Sequence, residues 1–166
     1  MSPQLQPLAV YPGSFDPLHM GHVDIVHRAV RLFPGVLVAV LANTEKKPLF
    51  SAEERVALIQ QTFLQYPQVK VTSFSGLLVD FMRVTGARVV LRGMRVVSDF
   101  EYEFQMALMN RRLCPEVETV FLTPQEEFTY LSSRLIKEIW TLGGDIRGLV
   151  PPPVQAALEQ KRGTSP

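Results

Sequence analysis

The segment Tyr11-Pro12-Gly13-Ser14-Phe15-Asp16-Pro17-Leu18-His19-Met20-Gly21-His22 holds two glycines, two prolines, a hydroxyl and two histidines between a short apolar run and a helical pattern. Glycine lets backbone approach a ligand closely, and a helix N-terminus offers free N–H groups at the positive end of a dipole. His19 and His22 add donors suited to phosphate oxygens. Three more polar groups follow later apolar runs: Lys46-Lys47, Arg92-Gly93-Met94-Arg95 and Ser132-Ser133-Arg134. Arginine grips phosphate with two parallel N–H bonds and keeps its charge when partly desolvated. Two serines opening a helix cap it and still leave other first-turn N–H groups for an anion. Each group also has a plainer reading: packing histidines, solvated lysines, surface arginines in a turn around Gly93, capping serines. What favours phosphate chemistry is that all of them follow strands. Asp16 fits an Asx-type turn beside Pro17 at least as well as a ligand role.

Five apolar runs supply those strands: Leu8 to Tyr11, Val36 to Leu41, Val69 to Phe74, Arg88 to Leu91 and Val117 to Leu122. Most are Val-rich and continuous, the pattern of strands buried on both faces of a parallel sheet. Helical patterns lie between them. Val23, Val26, Val30 and Phe33 recur at helical spacing. Ser51 to Glu54 reads as a capping box before Val56, Ile59 and Phe63, and Ser98 to Glu101 as a second before Phe100, Phe104 and Leu108. Leu77 to Val84 forms a shorter pattern, and Leu135, Ile136, Ile139 and Trp140 mark another helix. Gly143 and Gly144 end it; Pro151 to Pro153 precede a last helix, Val154 to Lys161, and Gly163 to Pro166 reads as a frayed tail. The alternation predicts an α/β fold in one domain over residues 1–166, a Rossmann-like, doubly wound five-stranded parallel sheet with helices on both faces. In such a sheet ligands bind outside the carboxyl ends of the strands, where the polar groups fall.

Composition narrows the function classes. The chain has 166 residues, 46% hydrophobic and 20% charged, which is ordinary globular composition. Seventeen basic minus sixteen acidic residues leave +1, which argues against attachment to nucleic acid or membrane by bulk charge. The one cysteine, Cys114, excludes an internal disulfide and a cysteine-rich zinc site. No apolar run approaches the roughly 20 residues of a membrane span, and Met1 to Pro7 lacks signal-peptide character, so a cytoplasmic place is expected.

The loop from Tyr11 to His22 has neither Gly-Lys-Ser/Thr nor Gly-x-Gly-x-x-Gly. His19-x-Gly21-His22 after Gly-Ser-Phe-Asp-Pro resembles instead the signature of the nucleotidyltransferases. Lys-Lys-Pro-Leu-Phe-Ser-x-Glu-Glu-Arg, Leu-Arg-Gly-Met-Arg-x-Val-Ser-Asp-Phe-Glu-Tyr-Glu and Leu-Ser-Ser-x-Leu-Ile-Lys-Glu follow in order, and from about Ala9 to about Leu158 the chain resembles the bacterial phosphopantetheine adenylyltransferases. The resemblance implies transfer of the adenylyl group of ATP to 4′-phosphopantetheine, giving dephospho-CoA and pyrophosphate with Mg²⁺, in a homohexamer. It implies catalytic roles for His22, Lys46 and Arg92, His22 stabilising the transition state. It implies ATP contacts from Ser14, Phe15, His22, Gly93, Met94, Arg95, Glu103, Phe128, Thr129, Tyr130, Leu131, Ser132, Ser133 and Arg134. Ser14, Lys46, Leu78, Arg92, Met106 and Asn110 would bind the acceptor. No protein metal ligand is implied; Mg²⁺ would be held by ATP oxygens and water.

Three positions depart from the pattern. Arg134 stands where many members have a third serine, Gly76 where some have aspartate, and His19 where some have threonine. A phosphate monoester is largely dianionic near neutral pH, so an acceptor of this class needs no general base, in keeping with a basic motif set without a carboxylate pair. Other readings remain open here: a nicotinamide-nucleotide adenylyltransferase or cytidylyltransferase, against which the Arg92 to Glu103 block speaks; a non-catalytic nucleotide- or RNA-binding module; and a structural assembly protein, with Trp140 as a candidate interface residue.

Overall fold

The computed structural model describes residues 8–42 and 48–164. Five strands, β1 (Leu8–Gly13), β2 (Gly35–Leu41), β3 (Val69–Phe74), β4 (Val89–Gly93) and β5 (Glu118–Leu122), form one all-parallel sheet in the order β3-β2-β1-β4-β5. The first strand lies in the middle; from it the chain winds outward through β2 and β3, then crosses back to β4 and β5. The winding reverses between β1 and β4.

Alternation along the strands divides the core between the two faces. Ala9, Tyr11, Val36, Val38, Val40 and Leu91 face one side. They meet α1 (Met20–Leu32), α2 (Ala52–Thr62), α5 (Ser133–Thr141) and α6 (Pro152–Thr164) through Val26, Ile59, Ile136 and Leu158, all fully buried. Val10, Leu37, Ala39 and Val90 face the other side, against α3 (Leu78–Thr85) through Val79 and Met82, with Cys114 at the end of α4 (Val97–Leu113). Cys114 is a buried core thiol. The doubly wound sheet with helices on both faces is therefore what the continuous Val-rich runs predicted. No helix among the described residues is long and apolar enough to cross a membrane.

Local expectations hold unevenly. The α2 capping box forms: Ser51 Oγ accepts from Glu54 N–H at 3.1 Å and Glu54 Oε2 accepts from Ser51 N–H at 2.7 Å. The second box does not. Helix α4 begins at Val97 with Val96 as its N-cap, so Ser98 lies within the first turn. Asp99 accepts there instead, from the N–H of Arg95 at 3.3 Å. Phe100, Phe104 and Leu108 do not reach the core; each stays nearly half exposed. Trp140 moves the other way. Its indole N–H donates to Leu158 O at 3.2 Å, docking α5 on α6. The final helix extends through Gly163 and Thr164, past the expected Lys161.

Two buried polar residues lock the carboxyl edge. Asp16, expected to serve its own turn, reaches far along the chain: Oδ2 accepts from Leu49 N–H and Oδ1 from Phe50 N–H, both at 2.9 Å, and Lys137 Nζ lies 3.4 Å from Oδ2. Arg55 is only 1% exposed, and among the described residues its guanidinium donates to backbone carbonyls alone. Nε donates to Phe50 O and Ser51 O, and Nη1 to Ser14 O at 2.6 Å and Leu41 O at 3.1 Å. Three chain segments are thus tied by one side chain. Replacing it would strand several buried acceptors at roughly 1–3 kcal/mol each. Arg55→Leu, which keeps bulk and removes the donors, is expected to lower stability by about 3 kcal/mol or more. Urea unfolding checks this; a loss under about 1 kcal/mol would show that the carbonyls find other donors.

Candidate active site

Strands β1 and β4 pair over only two rungs, Ala9↔Val89 and Val10↔Val90, whereas β1 and β2 pair over six. Beyond those rungs β1 and β4 part, and a crevice opens at the point where the winding reverses. This is where an open parallel sheet binds its ligands. Two cavities meet there. One, of about 270 Å³, is lined by Phe15, His22, Arg95, Asp99 and Ser132 among others. The other, of about 520 Å³, runs past Phe74, Leu77, Leu78, Tyr102, Met106 and Asn110. Pro12, Gly13, Ser14, Arg92 and Glu103 line both and form their common wall.

Glycines 13 and 21 are explained by rings of the protein itself. A Cβ on Gly13 would stand 2.9 Å from the Phe15 ring, and one on Gly21 would stand 3.0 Å from the His19 ring. Phe15, at φ 50, turns back over β1 and meets Tyr11 and His22 edge-on, with centroids 5.3 and 4.9 Å apart. His19 stacks on His22 at 3.7 Å. His22 is therefore walled by three aromatic residues. Gly93 is no turn: it continues β4 opposite Leu122, and the chain leaves the strand only at Met94.

The two histidines do different work. His22 Nδ1 accepts from the backbone N–H of His19 at 3.2 Å, which leaves Nε2 as the protonated nitrogen of a neutral ring lining the first cavity. Burial first, then His19, Arg95 and Arg92, hold the His22 pKa well below its ordinary value. His19 is pushed down to about 3 by burial and by Arg95. Its Nδ1 is buried with no hydrogen-bond partner among the described residues, so its ring supports His22 by stacking while its backbone N–H holds His22 Nδ1. Burial likewise drives the Tyr11 phenol upward against the pull of Arg92 and Arg95, so it remains protonated.

The arginines are held on separate anchors. Arg92 Nε and Nη2 donate to Glu103 Oε2 and Oε1 at 2.7 and 2.5 Å, and Nη1 to Pro12 O at 3.1 Å across the crevice. Burial opposes the Arg92 charge, but the bonds to Glu103 and its negative charge outweigh this and raise the pKa. Arg95 donates to Leu131 O and lies 3.3 Å from Asp99 Oδ2, joining the exit of β4 to α4 and to the start of α5. Ser132 caps α5, accepting from Leu135 N–H at 3.1 Å, and Ser133 Oγ donates to Pro17 O at 2.9 Å.

Of the residues expected to contact ATP, Ser14, Phe15, His22, Gly93, Arg95, Glu103, Ser132 and Ser133 line the first cavity. Met94, Phe128, Thr129, Tyr130, Leu131 and Arg134 do not. Leu131 is buried as a carbonyl anchor for Arg95, while Tyr130 and Arg134 are exposed. Of the acceptor residues, Ser14, Leu78, Arg92, Met106 and Asn110 line the second cavity. Lys46, with Lys47 beside it, lies outside the described residues. Sequence reasoning missed Tyr11, Asp99, Tyr102 and Asp24. Tyr11 looks like any strand residue. Asp24 gave a faint signal, a carboxylate between Val23 and Ile25; it accepts from Gln125 N–H at 2.9 Å and pins the chain beyond β5.

A family model described as cytidylyltransferase-like matches residues 10–139. The phosphopantetheine adenylyltransferase of Thioalkalivibrio sulfidiphilus is 56% identical over 159 residues, 96% of this chain and 100% of that one. That of Heliobacterium modesticaldum is 54% identical over 156 residues, 94% and 93% of the two chains. The chain belongs to the phosphopantetheine adenylyltransferase family. A bifunctional NMN adenylyltransferase/ADP ribose pyrophosphatase from Francisella tularensis has the same fold: the TM-score is 0.73 at 14% identity, over 97% of this chain and 51% of that one.

In this adenylyltransferase-family chain the unfolded histidines take up protons near pH 6.5, whereas buried His19 does so only near 3 and His22 also well below 6.5. Protonation thus favours the unfolded state, and the two rings make the fold progressively less stable as pH falls below about 6.5. Imidazole Cε1–H signals followed by NMR from pH 8 to 5 are expected to stay put for His19 and His22. A midpoint near 6.5 for His22 would overturn its assignment as a neutral donor.

Proposed function

We infer that this chain transfers the adenylyl group of ATP to 4′-phosphopantetheine, releasing pyrophosphate and giving dephospho-CoA for coenzyme A synthesis. The observation that carries this reading, beside family membership, is the pair of cavities joined at one wall by Ser14, Arg92 and Glu103. Two phosphate-bearing substrates can meet there. The second cavity, with Phe74, Leu78 and Met106 along it and Asn110 at hand, suits a slender apolar arm carrying amides.

The acceptor phosphate is already largely dianionic near neutral pH. One of its oxygens attacks the α-phosphorus of ATP, the bond to the oxygen bridging the α- and β-phosphorus breaks, and pyrophosphate leaves with the electron pair. No proton has to be removed from the nucleophile. The protein's work is to align two polyanions against their repulsion and to meet charge as it develops. His22 offers its Nε2–H to an α-phosphate oxygen, while Arg92 and Lys46 hold the acceptor phosphate and the reacting groups. Arg95 and the start of α5 at Ser132 and Ser133, the part of the Phe128 to Arg134 segment that lines the first cavity, hold the leaving pyrophosphate.

Mg²⁺, when bound, neutralises phosphate oxygens. The donor set would suit an ion carried by the nucleotide: the cavity's carboxylates Asp99 and Glu103 already accept from Arg95 and Arg92, so ATP oxygens and water would hold it. The same reading places the enzyme in the cytoplasm and in a homohexamer. What supports self-association is the apolar face of α4, where Phe100, Phe104, Leu108 and Met109 stay exposed. A sedimentation run is expected to show an oligomer, and a monomer at assay concentration would overturn that part.

Pyrophosphate release is expected with ATP plus 4′-phosphopantetheine and not with nicotinamide mononucleotide as acceptor; the opposite preference would replace this reading. His22→Ala is expected to lower turnover by about 10²-fold or more with little change in ATP affinity. Equal losses in both would remove its transition-state role. Arg92→Ala is expected to lose acceptor affinity, and unchanged calorimetric binding would sink that assignment.

A further inference from the structure

Arg92 has five N–H groups, and among the described residues three are engaged: two by the carboxylate of Glu103 and one by Pro12 O. One hydrogen remains on each terminal nitrogen. Glu103 is itself 9% exposed, held on α4 away from the strand that carries Arg92. Both of its oxygens are taken up by the guanidinium, and both residues stand in the wall shared by the two cavities.

We propose that Glu103 is a positioning residue, acting on the reaction through Arg92 by fixing the plane of the guanidinium so that its two remaining N–H groups stay available to the acceptor phosphate. This rests on the reading that Arg92 holds that phosphate, and goes beyond any contact of Glu103 with ATP. A carboxylate in a polyanion site repels its ligands, so charge alone argues against having one there. Its geometric effect runs the other way. Arginine carries several freely rotating bonds, and a side-on carboxylate removes that freedom before the ligand arrives. An amide cannot substitute, because glutamine presents one acceptor and turns an NH₂ toward the second N–H.

The two effects predict opposite signs. If Glu103 acted only through charge, Glu103→Gln would tighten phosphate binding. If it positions Arg92, Glu103→Gln weakens 4′-phosphopantetheine affinity and lowers turnover by about ten-fold each while leaving ATP affinity within about three-fold. Glu103→Asp, which keeps the charge at shorter reach, is expected to fall between the two. Calorimetric titration of each substrate, with pyrophosphate release for turnover, reads these effects. A double-mutant cycle then isolates the route: in the Arg92→Ala background, Glu103→Gln should cost nothing further. Additive losses, tighter acceptor binding, or a loss confined to ATP would each overturn the proposal, as would failure of both Glu103 variants to fold. If Arg92→Ala alone left acceptor binding unchanged, the reading of Arg92 would fail first, and that result is separate from any outcome for Glu103.

Discussion

The short pairing of β1 with β4 is the constraint on which the site depends. Parallel strands all leave the sheet at the same edge, so every functional loop already points one way. What makes a cavity is the separation of two neighbours at that edge. After Val10 and Val90 the strands diverge, and Arg92 bridges the gap to Pro12 O at 3.1 Å. Loops from β1, β4 and β5 then face one space. Had the two strands stayed in register to Gly13 and Gly93, the backbone would fill that space with its own hydrogen bonds.

Charge is distributed around this gap with little waste. The chain as a whole carries +1, yet Arg92 and Arg95 stand together in one wall. Each is paired with a carboxylate of α4, Glu103 or Asp99. These pairs balance the free protein and aim the guanidinium groups. His22 adds a donor without adding charge, because burial and neighbouring cations keep it neutral. A neutral donor costs less to keep desolvated than an imidazolium would beside two arginines. The arginines' charge is thus compensated within the fold, and the site still offers N–H groups to phosphate.

Beneath the cavity the support is made from backbone as much as from side chains. Arg55 gathers carbonyls from Ser14, Leu41, Phe50 and Ser51, and Asp16 gathers amides from Leu49 and Phe50. Together they hold the β1 loop against the segment that opens α2. A buried guanidinium is tolerable here because carbonyl dipoles solvate it from several sides. The position of Ser14 in the common wall follows from that clamp.

The sequence by itself determined the architecture and most of the chemistry. Val-rich runs separated by helical stripes permit little else than a parallel sheet covered on both faces, and the polar residues after four of the five runs pointed to phosphate as the ligand class. It also carried the α2 cap, a contact three residues long, whereas the same pattern at Ser98 to Glu101 misled because α4 starts one residue before Ser98. Contacts across tens of residues were another matter. Asp16 beside Pro17 has the local signature of a turn residue, and only folding brings Leu49 and Phe50 to its oxygens. Arg55 sits in a helix otherwise read for Val56 and Ile59, and nothing local distinguishes a buried arginine from a solvated one. Phe100 and Phe104 show core spacing, yet α4 presents them to solvent because its other face is committed to Arg92 and the cavities. The neutral state of His22 is likewise a tertiary fact, set by the burial around it and by Arg95 and Arg92, although the N–H that fixes its tautomer lies only three residues away at His19. Local pattern decides which segments form and what they carry; which groups meet, and in what charge state, waits on the packing that removes water between them.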